Sequence, residues 1–449
     1  TQLKKTFLNK YKFQILILLH ILIGVLAISR PFVLVFSSLL LIGFFQIITS
    51  KNSRNLAIYW CVYAMSAEVL FRIAKGAIFH EYVKYLCMLF LIAGLINQKL
   101  KNRIYPHYLI YIYLLLISIF FAQQQSFVAL RQEISFNLSG PILLGIASIY
   151  LYKKVLSINQ ILDVLKISLL PIISTLTYLL LYTPSIKEIF FVSGANFETT
   201  GGFGPNQVST ILGFAIFAFI VLFIYKKKIT NFLIFDFLIF GFLIYRELLT
   251  FSRGGLIAGI FATIIIIILY LKSKPNFIIN FFKISLITFV FGAFIFNYTT
   301  KMTGDVLTYR YTGKNTSGGD KSDISSGRIG FFEDELNIFL DNPFFGAGVG
   351  GSKYVREKTN LHKGSTHNEI SRMLSEHGLI GVFLLVFLII FPLKHIYKYR
   401  KFTEYSFSFA FFILWFLTIN HSAMRLAFPS IIYGLSLINI KKNENIIYR

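Results

Sequence analysis

Ile264-Ile265-Ile266-Ile267-Ile268-Leu269-Tyr270-Leu271 is apolar at every position. A strand with one face in lipid and the other in a polar lumen would alternate, so this run reads as a helix in apolar surroundings. Runs of about 16 to 22 apolar residues recur along the whole chain, each near the length a helix needs to cross hydrocarbon. With 449 residues, 14% of them charged, and a mean hydropathy of +0.67, the chain reads as an all-α polytopic membrane protein. The first run, beginning near Phe13, is followed by no small-residue cleavage pattern and is read as a retained span.

Working outward, spans are expected at 13–28, 31–49, 56–74, 82–97, 105–121, 138–152, 161–182, 206–225, 231–249, 254–271, 277–298, 378–393, 405–420 and 426–440. That is about fourteen, or about twelve to thirteen where a short pair is one bent element. Basic residues fall in alternate connections: Lys4/Lys5/Lys10/Lys12, Lys51/Arg54, Lys99/Lys101/Arg103, Lys153/Lys154, Lys226–Lys228, Lys272/Lys274, Lys394/Lys398/Arg400/Lys401 and Lys441/Lys442. The positive-inside rule makes these connections and both termini cytoplasmic. A formal charge of +24 spread in this way serves topology; nucleic acid is not an expected partner, and the lipid bilayer is. Cys61 and Cys87 both fall in apolar stretches, where packing is the expected role.

The remaining connections face outward, and with them every polar motif in the chain. Three regions follow: spans over 1–298, an outer loop over 299–377, and further spans with a cytoplasmic tail over 378–449. The loop is the longest polar stretch and concentrates glycines, acids and histidines. Outside the cytoplasm there is no nucleotide-sugar supply, so an enzyme there needs a substrate already activated on the membrane.

Within the loop, Ser325/Ser326 precede Ile329, Phe332, Leu336 and Phe339, which predicts an amphipathic helix to about Leu340. Asp341-Asn342-Pro343 ends it. Thr366-x-x-Glu369 reads as a capping box for a second helix, with Gly378 as the break before the next span. The glycines at 346, 348, 350 and 351 lack the strand before and the Lys-Ser/Thr after that a nucleotide loop requires, so a tight turn is expected. Asp320, Asp323, Glu333, Asp334, Glu335 and Asp341 have no metal-ligand spacing and read as surface charge and caps; no metal is expected.

Several side chains carry two readings. Arg328, at the start of the first loop helix, is an anion-binding fork or the partner of Asp320 or Asp323. His367, expected in the first turn of the second helix, is a neutral base or a solvated histidine, with His362, His377 and His421 as competitors. Arg253, in Ser252-Arg253-Gly254-Gly255, either snorkels to headgroups or meets an anion that the small neighbours let approach. Glu68 and Arg72, four apart in a span, are expected to pair, and Asp236 has no assigned role.

Three segments in this order resemble the O-antigen ligase and polymerase superfamily of bacterial membrane glycosyltransferases. They are Leu249-Thr250-Phe251-Ser252-Arg253-Gly254-Gly255, then Ser326-Gly327-Arg328 with Asn342-Pro343-Phe344-Phe345-Gly346-Ala347-Gly348-Val349-Gly350, then Thr366-His367-Asn368-Glu369 with Leu374-Ser375-Glu376-His377-Gly378-Leu379-Ile380-Gly381. Gly201-Gly202-Phe203-Gly204-Pro205-Asn206-Gln207 is similar to a further family segment, but Glu198-Thr199-Thr200 stands where many members carry an Arg; Arg72 or Arg425 is the candidate substitute. The resemblance covers 200–392 and implies a lipid-dependent, GT-C-like glycosyltransferase in the cytoplasmic membrane. Such an enzyme passes a glycan from an undecaprenyl-diphosphate donor to a glycan or lipid A-core acceptor, without a metal or cofactor and with inversion. It further implies that Arg253 and Arg328 bind the diphosphate, that His367 is the base, and that Asn368 orients the acceptor. Gly327, Ser252, Asn206, Arg72 and His421 would line the substrate. Protein glycosylation within the same superfamily, and transport of lipid-linked glycan, are the alternatives; a transporter would place its polar groups at mid-membrane between repeats.

Overall fold

In the computed structural model, described over residues 2–97, 106–189, 191–272, 276–321, 323, 325, 327–362, 364–399 and 405–441, helices dominate. The first five are α1 (Gln2–Leu26), α2 (Arg30–Leu39), α3 (Ile42–Thr49), α4 (Leu56–Ile73) and α5 (Tyr82–Ile96). Next come α6 (Pro106–Ile117), α7 (Phe127–Leu151), the short strand β1 (Val155–Ser157), α8 (Ile158–Tyr182), α9 (Pro205–Ile224), α10 (Leu233–Leu249), α11 (Arg253–Leu271) and α12 (Phe277–Met302). The loop region holds α13 (Val306–Thr312), α14 (Arg328–Asp341) and α15 (Gly351–Lys358). The chain continues through α16 (Glu369–Tyr399), α17 (Ser406–Ile419), α18 (Phe428–Leu435) and β2 (Asn439–Lys441).

Eight helices are long and apolar enough to cross a membrane, and four shorter apolar helices accompany them among the described residues. Helix α10, at 17 residues, is just short of that length, and it carries Asp236, Arg246 and Glu247, all buried. Asp236 acts locally. Its carboxylate accepts from the Ile229 and Thr230 amides and the Thr230 hydroxyl at 2.6–3.0 Å, fixing the turn before α10.

The expected span at 426–440 contracts to the eight residues of α18, all buried. Eight helical residues rise only about 12 Å, well short of the hydrocarbon thickness. Hydropathy alone misread it, since a short helix sunk among others is as apolar as a span. After it, β2 pairs in parallel with β1, Val155 facing Asn439. Two segments both expected on the cytoplasmic face are thereby neighbours. The basic residues Lys99, Lys101, Arg103, Lys274, Arg400, Lys401 and Lys442 lie outside the described residues.

The chain forms two compact units. The first comprises Thr1–Leu41, Val62–His80 and Asn159–Asp320; the second comprises Ile42–Cys61, Glu81–Ile158 and Lys321–Arg449. Cys61 and Cys87 are both buried, each thiol facing the other's carbonyl, and no disulfide joins them.

Candidate functional site

In the first unit, Arg253 opens α11 directly after the turn from α10 and is half-buried. That turn is held from several sides. Thr199 donates to the Leu249 carbonyl at 2.6 Å, Asn196 N–H to Thr250 O at 3.1 Å, and Arg310 of α13 to Phe251 O at 3.0 Å. Phe251 adopts φ 54, a strained value for a bulky residue, and stacks on Phe191 in a core with Leu248, Leu249 and Leu307.

Ser252 and Asn206 are brought together: the serine hydroxyl donates to Asn206 Oδ1 at 2.8 Å. Beside them the Gly255 amide donates to Ser209 Oγ, whose own proton goes to the Glu247 carboxylate at 2.5 Å. The first turn of α11 is thus partly satisfied by side chains of α9 and α10. An anion at this helix end would meet the Arg253 side chain more than the backbone. The sequence reading of Gly255 as room for a ligand is corrected here. Its missing side chain admits α9, because a Cβ on Gly255 would lie 2.0 Å from Ser209 O, and one on Gly259 would lie 2.3 Å from Gly213 O. Close backbone approach through small residues is how apolar helices pack without a hydrophobic drive between them.

The expected Glu68–Arg72 pair forms, at 2.7 Å. Arg72 also reaches His80 at 2.8 Å, and its guanidinium carbon lies 5.9 Å from the Phe203 ring centroid. It therefore stands beside the 201–206 turn, where the residue before the glycines is not basic. Arg246 was missed in the sequence, yet it is buried and donates to Thr199 O at 2.5 Å on that same turn. The adjacent charges Arg246-Glu247 at the end of an apolar run were the available signal.

In the second unit, α14 begins at Arg328 and ends at Asp341, as expected. Before it, Gly327 adopts φ 80 while its amide and that of Ser325 donate to the Asp323 carboxylate. Arg328 itself is exposed at the helix start. Ser326 lies outside the described residues. Gly346, Gly348 and Gly350 all take positive φ, and a Cβ on Gly346 would strike the Glu376 backbone at 2.4 Å. The glycine segment is the expected tight turn, but it leads into an additional helix, α15.

Two local expectations are corrected. The capping box does not form: Asn368 Oδ1 accepts the Ile370 amide at 2.8 Å and so caps α16, while Thr366 Oγ1 takes the Asn368 amide at 3.2 Å. Glu369 is drawn away by Arg372, which it meets with both oxygens and which also holds Glu376 at 2.6 Å. His367 consequently stands two residues before α16, not in its first turn. Glu335 is also not a surface acid; it is fully buried, paired with Arg356 at 2.9 Å and bonded to Ser371. Asp334 is buried too and receives His362 at 2.8 Å, which engages that competitor of His367.

His367 is exposed, with Arg425 and Arg328 near enough to act on its charge. The loss of surrounding water, then the positive charges of Arg425 and Arg328, push its pKa down from 6.5 to about 4. The ring is neutral over the physiological range and able to accept a proton. Arg425 donates to the Thr366 carbonyl at 2.6 Å. Next to this, a shallow polar depression with room for about one water molecule is lined by Glu133, Lys353, Arg356, Thr366, Glu376 and Arg425 among others. His421 is buried on the turn before Arg425 and contacts Leu417 O at 3.1 Å. His377 is fully buried just before the kink at Gly378 (φ 61, ψ −142) inside α16, away from solvent.

Residues 238–386 match the family model described as O-antigen ligase. The matched stretch holds Ser252, Arg253, Gly327, Arg328, His367 and Asn368, and stops short of Asn206, Arg72, His421 and Arg425. Neither a curated protein nor a solved structure matches the chain significantly.

Proposed function

We propose that the protein, whose residues 238–386 match the O-antigen ligase family model, is a member of the ligase and polymerase superfamily and transfers a glycan from a polyprenyl-diphosphate donor to an acceptor sugar hydroxyl. The observation that carries the reading is His367. It is a neutral, solvent-touched imidazole among arginines, preceding a capped helix in the family-matched segment. A base must be unprotonated at working pH and open to its substrate, and a neutral, exposed imidazole supports that role for His367.

In the proposed reaction His367 takes the acceptor hydroxyl proton as the acceptor oxygen forms its bond to the anomeric carbon. The bond from that carbon to the diphosphate breaks, and the lipid carrier leaves with the electron pair. One displacement inverts the anomeric centre. Charge gathers on the departing diphosphate, and Arg253 and Arg328 are assigned to stabilise it. Arg72, beside the 201–206 turn, is the candidate for the basic contact the sequence lacks before Gly201. Ser252 and Asn206, already bonded to each other, support the Arg253 turn. The reaction is that of surface-polysaccharide assembly, in which a polymerase extends a glycan and a ligase moves it to a lipid A core.

Reconstituting the full chain in liposomes with undecaprenyl-diphosphate oligosaccharide tests this, with products read by mass. A new glycosidic bond is expected, and His367→Ala should lower its rate by about 10²–10⁴-fold. The acid limb of the wild-type rate should lie near pH 4, since the base works above its pKa and is lost as pH falls through it. Unchanged turnover in His367→Ala removes the base assignment. Glycan crossing the bilayer with no new bond would make the protein a transporter.

A further inference from the structure

The carbonyl immediately before His367 is claimed by a residue far along the chain and beyond the family-matched segment. Arg425 sits in the turn between α17 and α18, only 8% exposed, and its Nη2 donates to Thr366 O at 2.6 Å. Its guanidinium lies over the Phe136 ring of α7, 4.3 Å from the centroid. An Arg gripped on its face by an aromatic ring and at its edge by a carbonyl has little freedom left. The peptide plane it holds is the Thr366–His367 plane. On the other side of His367, Asn368 is fixed as the cap of α16. The histidine is therefore pinned from both neighbours, by an arginine before and a helix cap after.

We propose that Arg425 is a positioning residue for His367, its guanidinium clamping the Thr366 carbonyl to orient the imidazole and setting a fixed positive charge beside the ring. The proposal rests on the reading of His367 as the base. Burial lowers Arg425 to about 10, still well above neutrality, so its charge persists over the working range. The carboxylates facing it are each shared with another cation: Glu369 and Glu376 with Arg372 of α16, and Glu133 of α7 with Lys353 of α15. The charges acting on His367 are Arg425 from the α17–α18 turn and Arg328 from the start of α14, while Glu369, two residues on at the start of α16, is engaged by Arg372. Two cations disfavour a third, which keeps the imidazole unprotonated at neutral pH while weakening it as a base. Orientation matters as much, because a displacement of about 1 Å in a reacting group can cost about 100-fold in rate.

The test separates the clamp from the charge. Arg425→Gln removes the charge and keeps an amide donor; Arg425→Lys keeps the charge without the planar fork. His367 is titrated in the full-length chain in lipid nanodiscs by NMR of ring-labelled histidine, its signal identified by its loss in His367→Gln. Arg425→Gln should raise the titration midpoint by about one pH unit or more. Arg425→Lys should leave the midpoint near wild type while lowering kcat by about tenfold with little change in KM. Thermal unfolding of each variant checks that it is folded. An unmoved midpoint in a folded Arg425→Gln overturns the charge role, and full kcat in Arg425→Lys overturns the clamp. The titration needs no turnover, so absence of glycan transfer by the wild type would sink the functional reading while still deciding whether Arg425 acts on His367.

Discussion

The turn that carries Arg253 and the strip that carries His367 are held by opposite means. Around Arg253 most restraints are short contacts to neutral groups: hydroxyls and amides bonded to backbone, Ser252 on Asn206, and glycines that let α9 and α11 touch, with Arg310 and Glu247 each bonded there to a neutral partner. Around His367 they are charges. Arg425 takes the Thr366 carbonyl, Arg372 binds Glu369 and Glu376, and Arg356 binds Glu335 and the Gly364 carbonyl at 2.8 Å. A scaffold held mostly by contacts to neutral groups depends less on pH and chiefly presents the cation it carries. A charged scaffold also tunes the proton affinity of what it holds, which suits a base. It fails badly when one partner goes, because a buried charge without its partner is costly.

The largest effect should come from the charged side. Arg356→Ala strips Glu335 of its buried partner and frees the Gly364 carbonyl, and truncating one member of such a pair costs about 3–5 kcal/mol. Thermal unfolding of the purified protein should show a large fall in midpoint. The paired change Arg356→Leu with Glu335→Leu, which removes both charges and restores apolar volume, should recover most of it. If the single substitution unfolds with the wild-type midpoint, the charged account of this strip is wrong.

How far the sequence foretold these two regions follows from how local each cause is. The start of α14 at Arg328, its stop at Asn342-Pro343, the Glu68–Arg72 pair and the break at Gly378 all depend on residues within four positions of one another, and all were readable. The burial of Glu335 depends on Arg356, twenty-one positions on, so an acid on a loop helix looked like surface charge. The capping box failed for a related reason: the motif was present, but Arg372 competes for Glu369 and Asn368 supplies the cap. Arg246 and Glu247 were hidden because hydropathy averages over a run and gives two charges at its end little weight. The resemblance to the superfamily singled out Arg253, Arg328 and His367 as candidates; it gave no hint of Arg425 as a partner of His367, since that residue lies beyond the matched segment.

The neutral side should break more gently. A Cβ at Gly259 would lie 2.3 Å from the Gly213 carbonyl, a distance only a parting of α9 and α11 can relieve. Overpacking of this kind costs about 1–3 kcal/mol, so Gly259→Ala should lower the unfolding midpoint less than Arg356→Ala does. Turnover should fall as well, since Ser209 of α9 holds the first turn of the Arg253 helix. Gly292→Ala is the control, since a Cβ there would meet nothing within 4 Å. Equal behaviour of the two variants would mean that the close contact is not what secures the turn.

The smallest effect addresses Asn368, which has two candidate roles. The family resemblance has it orient the acceptor, whereas the geometry has its Oδ1 accept the Ile370 amide at 2.8 Å and lie 3.4 Å from the Ser371 amide. An oxygen committed to a helix end is poorly placed to serve a substrate, but the NH2 group of the same side chain can still donate. Asn368→Asp preserves the capping oxygen and removes that donor. Asn368→Ala removes both and should cost about 1 kcal/mol of stability, the usual value of a lost cap. If capping is the whole role, Asn368→Asp keeps wild-type stability and turnover, and Asn368→Ala loses a little of each as His367 loosens. If the amide also orients the acceptor, Asn368→Asp is as stable as wild type yet raises KM for the acceptor. That outcome would give the His367 strip a neutral contact of the kind that secures Arg253, and the opposition between the two regions would then hold for their scaffolds alone.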